Sequence, residues 1–323
     1  MAKIVRITLL FLLTMTAFYL CNQWVINSFY YAGKRLACSV NPQFAAVGGQ
    51  DRQVFLDWNP RVNYDVIVAG SSHAYRGYDP RIFQSHGLTM YNIGTGYQNA
   101  MASYFLLKND FQPAPGSLVI LDVYDNTYSS DGMGCFSRII PNSDHERTPR
   151  DLVLSAFDLR LLNAYGSFLF IDQNRIEVPL KPGYVFNGFS ECTDSSKVPV
   201  DSSRVEEVKH HFQAGYLDYI KELNAFLKQR DCKLVLATHP MVVNPRRVQY
   251  HTSFMGYLSG LLSSENLIYL DFSEHPDFHP HFDFMDDDHL NQSGVDKYNT
   301  LLLDTLEGLK LLPPSSELRS RQL

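Results

Sequence analysis

Tyr64-Asp65-Val66-Ile67-Val68-Ala69-Gly70-Ser71-Ser72-His73 runs a short β-branched segment into a glycine and two serines. An apolar run of that length, stopped by Gly, reads as a strand buried on both faces of a parallel sheet. Asp79-Pro80 follows as a helix start. Met90-Tyr91-Asn92-Ile93 gives a second strand ending at Gly94, Gln98 to Lys108 carries helical spacing, and Leu118-Val119-Ile120-Leu121-Asp122-Val123 gives a third strand. After an interruption, a helical pattern from Val205 to Arg230 precedes the strand Lys233 to Ala237. A helical stretch from Tyr250 to Leu262, the strand Leu267 to Leu270 and a helix from Gln292 to about Glu307 complete the pattern. Five strands alternating with helices predict an α/β protein with a central parallel five-stranded sheet in a three-layer, flavodoxin-like arrangement. Such sheets collect ligands at the carboxyl ends of their strands, near the switch in strand order.

The 323 residues and 45% hydrophobic content suffice for one large buried core. The expected organisation is an anchor over residues 1–31, a linker over 32–60, a folded domain over 61–312 and a loose tail over 313–323. Within the domain, residues 124–204 mix Gly, Pro and Asp, with one helix near Asp151 to Tyr165, and read as an insertion. No internal repeat or low-complexity tract is present. Net charge is -6 and Lys and Arg form no long run, so nucleic acid is not an expected partner.

Met1 to Arg6 is followed by Ile7 to Cys21 without a charge, and the apolar stretch counted on to Ile26 nears the span of a bilayer. That core is long for a signal peptide and no small-x-small cleavage site follows, so the segment reads as an uncleaved amino-terminal anchor. Leu20 before Cys21 does not suit lipoprotein cleavage, which wants a small residue there. Lys3 and Arg6 nearly balance Lys34 and Arg35, so charge barely decides orientation. The usual arrangement for such an anchor places the body outside, in a periplasm or at a cell surface. Cys38, Cys135, Cys192 and Cys232 would permit two disulfides there or stand as four buried thiols, and none has metal-ligand spacing.

Two short motifs carry the chemistry. Gly70-Ser71-Ser72 puts a hydroxyl at the mouth of the sheet, with a helix amino terminus behind it whose N–H groups can stabilise an oxyanion. The plainer reading of Gly-Ser-Ser is a turn whose Ser caps a helix. Late in the chain, Asp286-Asp287-Asp288-His289 offers an imidazole with a carboxylate three residues before it, the pairing that fixes a catalytic histidine's tautomer. Nucleophile first and Asp-x-x-His last suits serine acyl-transfer chemistry.

In this order along the chain, strand-Gly-Ser-Ser, Gly94 after the second strand and Asp-x-x-His near the end, the sequence resembles the SGNH/GDSL hydrolase superfamily over roughly residues 62–310. Gly70-Ser71-Ser72 stands where that family has Gly-Asp-Ser. The resemblance implies Ser72 as nucleophile, His289 as general base and Asp286 as its orienting partner. It implies an oxyanion hole built from the Ser72 and Gly94 N–H groups. The family's third block, Gly-x-Asn-Asp, is matched only by Asp122-Val123-Tyr124-Asp125-Asn126, which makes Asn126 a third donor or a loop-capping residue. Ser71 is the rival nucleophile, one residue out of register. With the amino-terminal anchor, the chain is similar to the branch that includes the D-alanyl transfer protein of teichoic acid modification. That branch implies a membrane-bound O-acyltransferase as partner and an acylated polysaccharide or other surface polymer as substrate, with no cofactor and no metal.

Two other readings compete. His275-Pro276-Asp277-Phe278-His279-Pro280-His281-Phe282-Asp283 is rich enough in imidazole and carboxylate to ligate a divalent metal, although it has no helix-spaced His pair and its prolines suggest a rim loop. His73 and His239 are expected near the same mouth as hydrogen-bonded structural histidines. The non-catalytic reading is a degenerate SGNH fold that serves as a binding or assembly partner of an acyltransferase.

Overall fold

The computed structural model describes residues 1–40, 46–194 and 211–312. The expected tail at 313–323, residues 195–204 of the insertion and the opening of the helix expected from 205 lie outside the described residues.

The chain begins with a helix, α1, over Ala2–Ser28. A two-stranded hairpin follows, β1 Tyr30–Tyr31 and β2 Lys34–Arg35, and then helices α2 Leu36–Val40 and α3 Gly49–Asp57. The sheet opens with β3 Val66–Ala69, followed by helices α4 Ser72–Gly77 and α5 Pro80–Ser85. Strand β4 Met90–Asn92, helix α6 Ala100–Asn109 and strand β5 Leu118–Asp122 come next. Four helices then run in succession, α7 Asp125–Tyr128, α8 Met133–Asn142, α9 Arg147–Ala156 and α10 Leu159–Phe168. The chain ends with α11 Gly215–Gln229, β6 Lys233–Thr238, α12 Pro245–Glu265, β7 Ile268–Asp271 and α13 Gln292–Gly308.

The five-stranded sheet has the order β4-β3-β5-β6-β7 with every pair parallel, the flavodoxin-like order expected from the alternation. Side chains alternate between its faces as a strand's two-residue period requires. Ile67, Ala69, Val119, Leu121, Leu234 and Leu236 join the core under α3, α6 and α8–α11. Val66, Val68, Leu118, Ile120, Val235 and Ala237 join the opposite core under α4, α5 and α13. Apolar residues on both faces make the sheet the middle of three layers. The order reverses between β3 and β5, whose carboxyl ends carry Gly70 and Asp122.

Two parts of the expected organisation are corrected. The described residues of the 32–60 stretch do more than link. Helix α3 buries Val54 and Phe55 in the main core, and Arg35 forms a buried ion pair with Glu177 at 2.7 Å. Short elements starting at Gly48 and Gly49, both at positive φ, gave the sequence no sustained period to read. The described part of the insertion holds more helix than its Gly and Pro content suggested, because α8, α9 and α10 close one face of the core. The single helix expected over 151–165 breaks at Phe157, which takes a left-handed conformation (φ 48°) without the glycine that usually marks such a stop.

Helix α1 is 27 residues long and apolar enough to cross a bilayer. Its second half is tied to the body. Gln23 and Asn27 are buried, Asn27 Nδ2 donates to Ser167 Oγ at 3.1 Å, and Arg35 Nη1 donates to Asn27 Oδ1 at 2.7 Å. The five cysteines are free thiols, with Cys38, Cys135 and Cys232 buried. Replacing Arg35 by Ala would leave the Glu177 carboxylate buried without its partner and is expected to cost about 3–5 kcal/mol. Chemical denaturation of the full chain in detergent checks this, and an unchanged midpoint would mean the pair does not hold the segment after α1 to the body.

Candidate active site

Gly70 ends β3 at φ 151°, where an added Cβ would lie 2.8 Å from Asp122 Cβ and 2.9 Å from Asp122 O. Only glycine allows the two strand ends to approach this closely and still turn the chain into α4. Ser71 is the cap of that helix. It is buried, its Oγ accepts from His73 N, and it lies 3.0 Å from His73 Nδ1. Ser72 is the first residue of α4 and is half-exposed. The two serines therefore have separate surroundings, and only Ser72 reaches the late acidic turn.

That turn is held by core contacts at both ends. Phe284 and Leu290 are buried and bridge each other antiparallel, Met285 N donates to His289 O, and Asn291 caps α13. Asp286 and His289 are thereby presented at the rim. His289 Nε2 lies 2.7 Å from Ser72 Oγ, and its Nδ1 lies 3.0 Å from both Asp286 carboxylate oxygens. Asp286 Oδ1 also accepts from the His289 N–H at 2.7 Å, which fixes the turn and the ring together.

A second carboxylate shares the imidazole. Asp288 Oδ1 is 2.9 Å from His289 Nδ1, while its Oδ2 accepts from Tyr124 Oη at 2.7 Å and from Arg247 Nη2 at 3.0 Å. The same guanidinium stands 3.6 Å from buried Asp125. Burial alone would raise the Asp288 carboxyl, yet its bonding to His289 overrides this and holds it well below the ordinary carboxylate range. Burial would lower His289, but the bonds to Asp286 and Asp288 outweigh it and push the imidazole up to about 9. The neutral ring carries its proton on Nδ1, facing the carboxylates, and offers Nε2 to Ser72.

His73 lies between two other imidazoles. Its ring stacks on His239 at 3.9 Å and on His289 at 4.4 Å, with interplanar angles of 18° and 11°. His239 Nδ1 lies 3.2 Å from Asp122 Oδ2, which also accepts from Tyr78 Oη at 2.9 Å, and Tyr298 Oη donates to Tyr78. Burial first, and the neighbouring His239 second, push His73 well below the ordinary imidazole range and keep it neutral. The expectation of hydrogen-bonded histidines near the mouth thus understates their arrangement: they form a column that ends on His289. Sequence reading also passed over Asp288, Arg247, Tyr124 and Asp122. Asp288 was hidden among three consecutive aspartates, and Asp122 was legible only as the last residue of a strand.

The remaining expected donors are placed differently. The Gly94 N–H donates to Asn92 Oδ1 at 3.0 Å, and Asn92 is itself fixed by donating to Ala74 O at 2.7 Å. That amide is committed to its own strand end. Asn126 is exposed in the first turn of α7, and no contact among the described residues joins its side chain to Ser72 or His289.

Among the described residues three groups have ligand-type atoms within 4.8 Å of one another: His73 with Asp288 and His289, His73 with Asp122 and His239, and Asp286 to Asp288. Lone pairs of imidazole lie in the ring plane, so near-parallel stacked rings do not converge on one ion. His275, His279 and His281 form no such group among the described residues, and Asp283 in that loop is paired with Lys297 Nζ at 2.8 Å. Histidine NMR of the folded chain should show His289 titrating near 9, as its carboxylates dictate. Asp288→Asn should move that titration downward, and an unchanged value would show that Asp286 alone holds the proton.

The chain matches no protein-family model and no curated protein. Among solved structures it is similar to the lipase/acylhydrolase from Enterococcus faecalis, at 11% identity over 77% of this chain and 97% of that one, with a TM-score of 0.39. It is likewise similar to a GDSL-like lipase from Bacteroides thetaiotaomicron, at 12% identity over 79% of this chain and 94% of that one, with a TM-score of 0.39.

Proposed function

We propose that the protein is a membrane-anchored serine esterase or O-acyltransferase whose nucleophile is Ser72. The observation that carries this reading is the unbroken chain Ser72 Oγ, His289 Nε2, His289 Nδ1 and Asp286, with contacts of 2.7 and 3.0 Å. Ser72 Oγ attacks the acyl carbonyl while His289 Nε2 accepts its proton. The imidazolium so formed rests against two carboxylates, which is where the transition state gains most from them. His289 then gives the proton to the departing alkoxide, leaving an acyl-serine. Water, or a hydroxyl of an acceptor polymer, attacks that ester with His289 again taking the proton. The N–H of Ser72, at the start of α4 where helix N–H groups have no intrahelical acceptor, is the donor at hand for the oxyanion.

The acceptor class, the extracytoplasmic setting and a membrane-bound O-acyltransferase partner belong to the same proposal. A cleft of about 510 Å³ beside α4 is lined by Tyr75, Tyr97, Arg138 and Lys181 but by none of Ser72, Asp286 and His289, so it would hold a part of the substrate remote from the reacting ester. A non-catalytic partner role is favoured by a different observation, namely that the Gly94 amide is committed to Asn92 and Asn126 stands apart.

A fluorophosphonate probe followed by peptide mass spectrometry separates the two. A single adduct on Ser72, absent from Ser72→Ala and retained by Ser71→Ala, is the expected result. His289→Ala should slow labelling by about 10²–10⁴-fold, while His279→Ala should leave it unchanged. No adduct in folded protein would overturn catalysis in favour of the partner role. Because the base is protonated until about pH 9, labelling should accelerate as pH rises toward that value. A rate flat from neutral pH upward would mean His289 is not the base.

A further inference from the structure

We infer that the turn between α9 and α10 is seated in the lipid surface and, with α1, fixes the body against the bilayer. This rests on α1 being a retained membrane anchor. The first observation is direction. Along α1, Tyr19 Oη donates to Leu162 O at 3.0 Å, Gln23 Oε1 accepts from Ser167 Oγ at 3.3 Å, and Asn27 donates to Ser167. From Tyr19 to Gln23 the contact moves from Leu162 and Asn163 to Ser167, and at Asn27 it is still Ser167, so over this stretch α10 runs in the same general sense as α1. The amino end of α10, and the turn before it, therefore point toward the wholly exposed first half of α1.

The second observation is length. The charge-free part of α1 ahead of its first contact with the body runs from Ile7 to Phe18, after Lys3 and Arg6, and rises only about 18 Å at ~1.5 Å per residue. The hydrocarbon layer is ~30 Å thick. An anchor that spans it must draw the level of Tyr19 and Leu162 down to the edge of the acyl region, and whatever projects beyond Leu162 in that direction enters the interface.

What projects is apolar. Phe157 is 94% exposed, Leu159 79% and Leu154 67%, with Leu162 half exposed beside α1. Phe157 occupies the left-handed cap of α9, a position where glycine is favoured, so a phenylalanine there gains nothing in water. The charges of the turn are matched: Asp158 accepts from the Arg160 backbone at 2.8 Å and pairs with its guanidinium at 2.7 Å. Arg160 reaches on to Asp131, back toward the body. An apolar tip with paired charges behind it fits the boundary between lipid headgroups and acyl chains.

The test uses the full chain with Cys21→Ser and Cys192→Ser, reconstituted in vesicles of phosphatidylcholine and phosphatidylglycerol. A nitrobenzoxadiazole label is placed in turn at Phe157→Cys, at Leu10→Cys in α1 and at Asp304→Cys on the exposed side of α13. The expected result is a blue shift and loss of emission at 157 with phospholipid spin-labelled near the top of the acyl chain. The label at 10 should be quenched by a deep spin label, and the label at 304 by neither. Quenching at 10 with none at 157 would overturn the seated turn and leave the anchor intact. Absence of quenching at both would overturn the anchor reading itself. A blue shift at 157 without quenching by either lipid would mean the tip is covered by protein, a second copy or another membrane protein, and would also overturn the proposal.

Discussion

Everything at the mouth of this protein depends on how closely the carboxyl ends of β3 and β5 approach one another. Gly70 removes the side chain that would collide with Asp122, and that one omission lets the chain turn at once into α4. The turn sets Ser71 inward as a cap and Ser72 outward at the rim. It also leaves Asp122 buried at the switch in strand order, where it fixes Tyr78 and His239. Without the close approach, neither the hydroxyl nor the column of imidazoles behind it would have a fixed place.

The column and the acidic turn then act on the same ring. His289 is gripped at Nδ1 by two carboxylates and faced by the neutral His73 ring, so its plane, tautomer and charge are each set by a different neighbour. Asp288 is itself restrained by Tyr124 and Arg247, which come from the segments after β5 and β6. The site is therefore assembled from the ends of several strands, as open α/β sheets favour. Its precision comes from Asp288, Tyr124, Arg247 and His73, which hold the His289 ring.

Much of this was legible in the sequence because it depends on local pattern. Val66 to Ala69 and Leu118 to Asp122 declare buried strands by their unbroken apolar character, and a Gly-Ser-Ser turn after the first of them is a strong local cue. Asp286 and His289 could be paired on spacing alone. The rest depended on contacts far apart in the chain. Nothing local tells that Asp288 rather than Asp287 turns toward His289, or that Arg247 reaches the same carboxylate. The Gly94 amide looked available until Asn92 was seen to accept from it, a choice set by Ala74 on the neighbouring helix. Residues 32–60 looked like a linker because their buried side chains, Arg35 and Val54 among them, find partners only in the folded body.

The inward-facing Gln23 and Asn27 have a mechanical consequence. A helix attached only by a slack peptide can spin and tilt freely beneath the domain it carries. Here the side chains of α1 key into α10 and, through Arg35, into Glu177, so helix and domain turn as one piece. The mouth at Ser72 keeps a constant bearing to the helix axis. Whatever reaches Ser72 must come to that bearing, so access is set by how α1 packs on the body rather than by how far a slack tether would let the body swing.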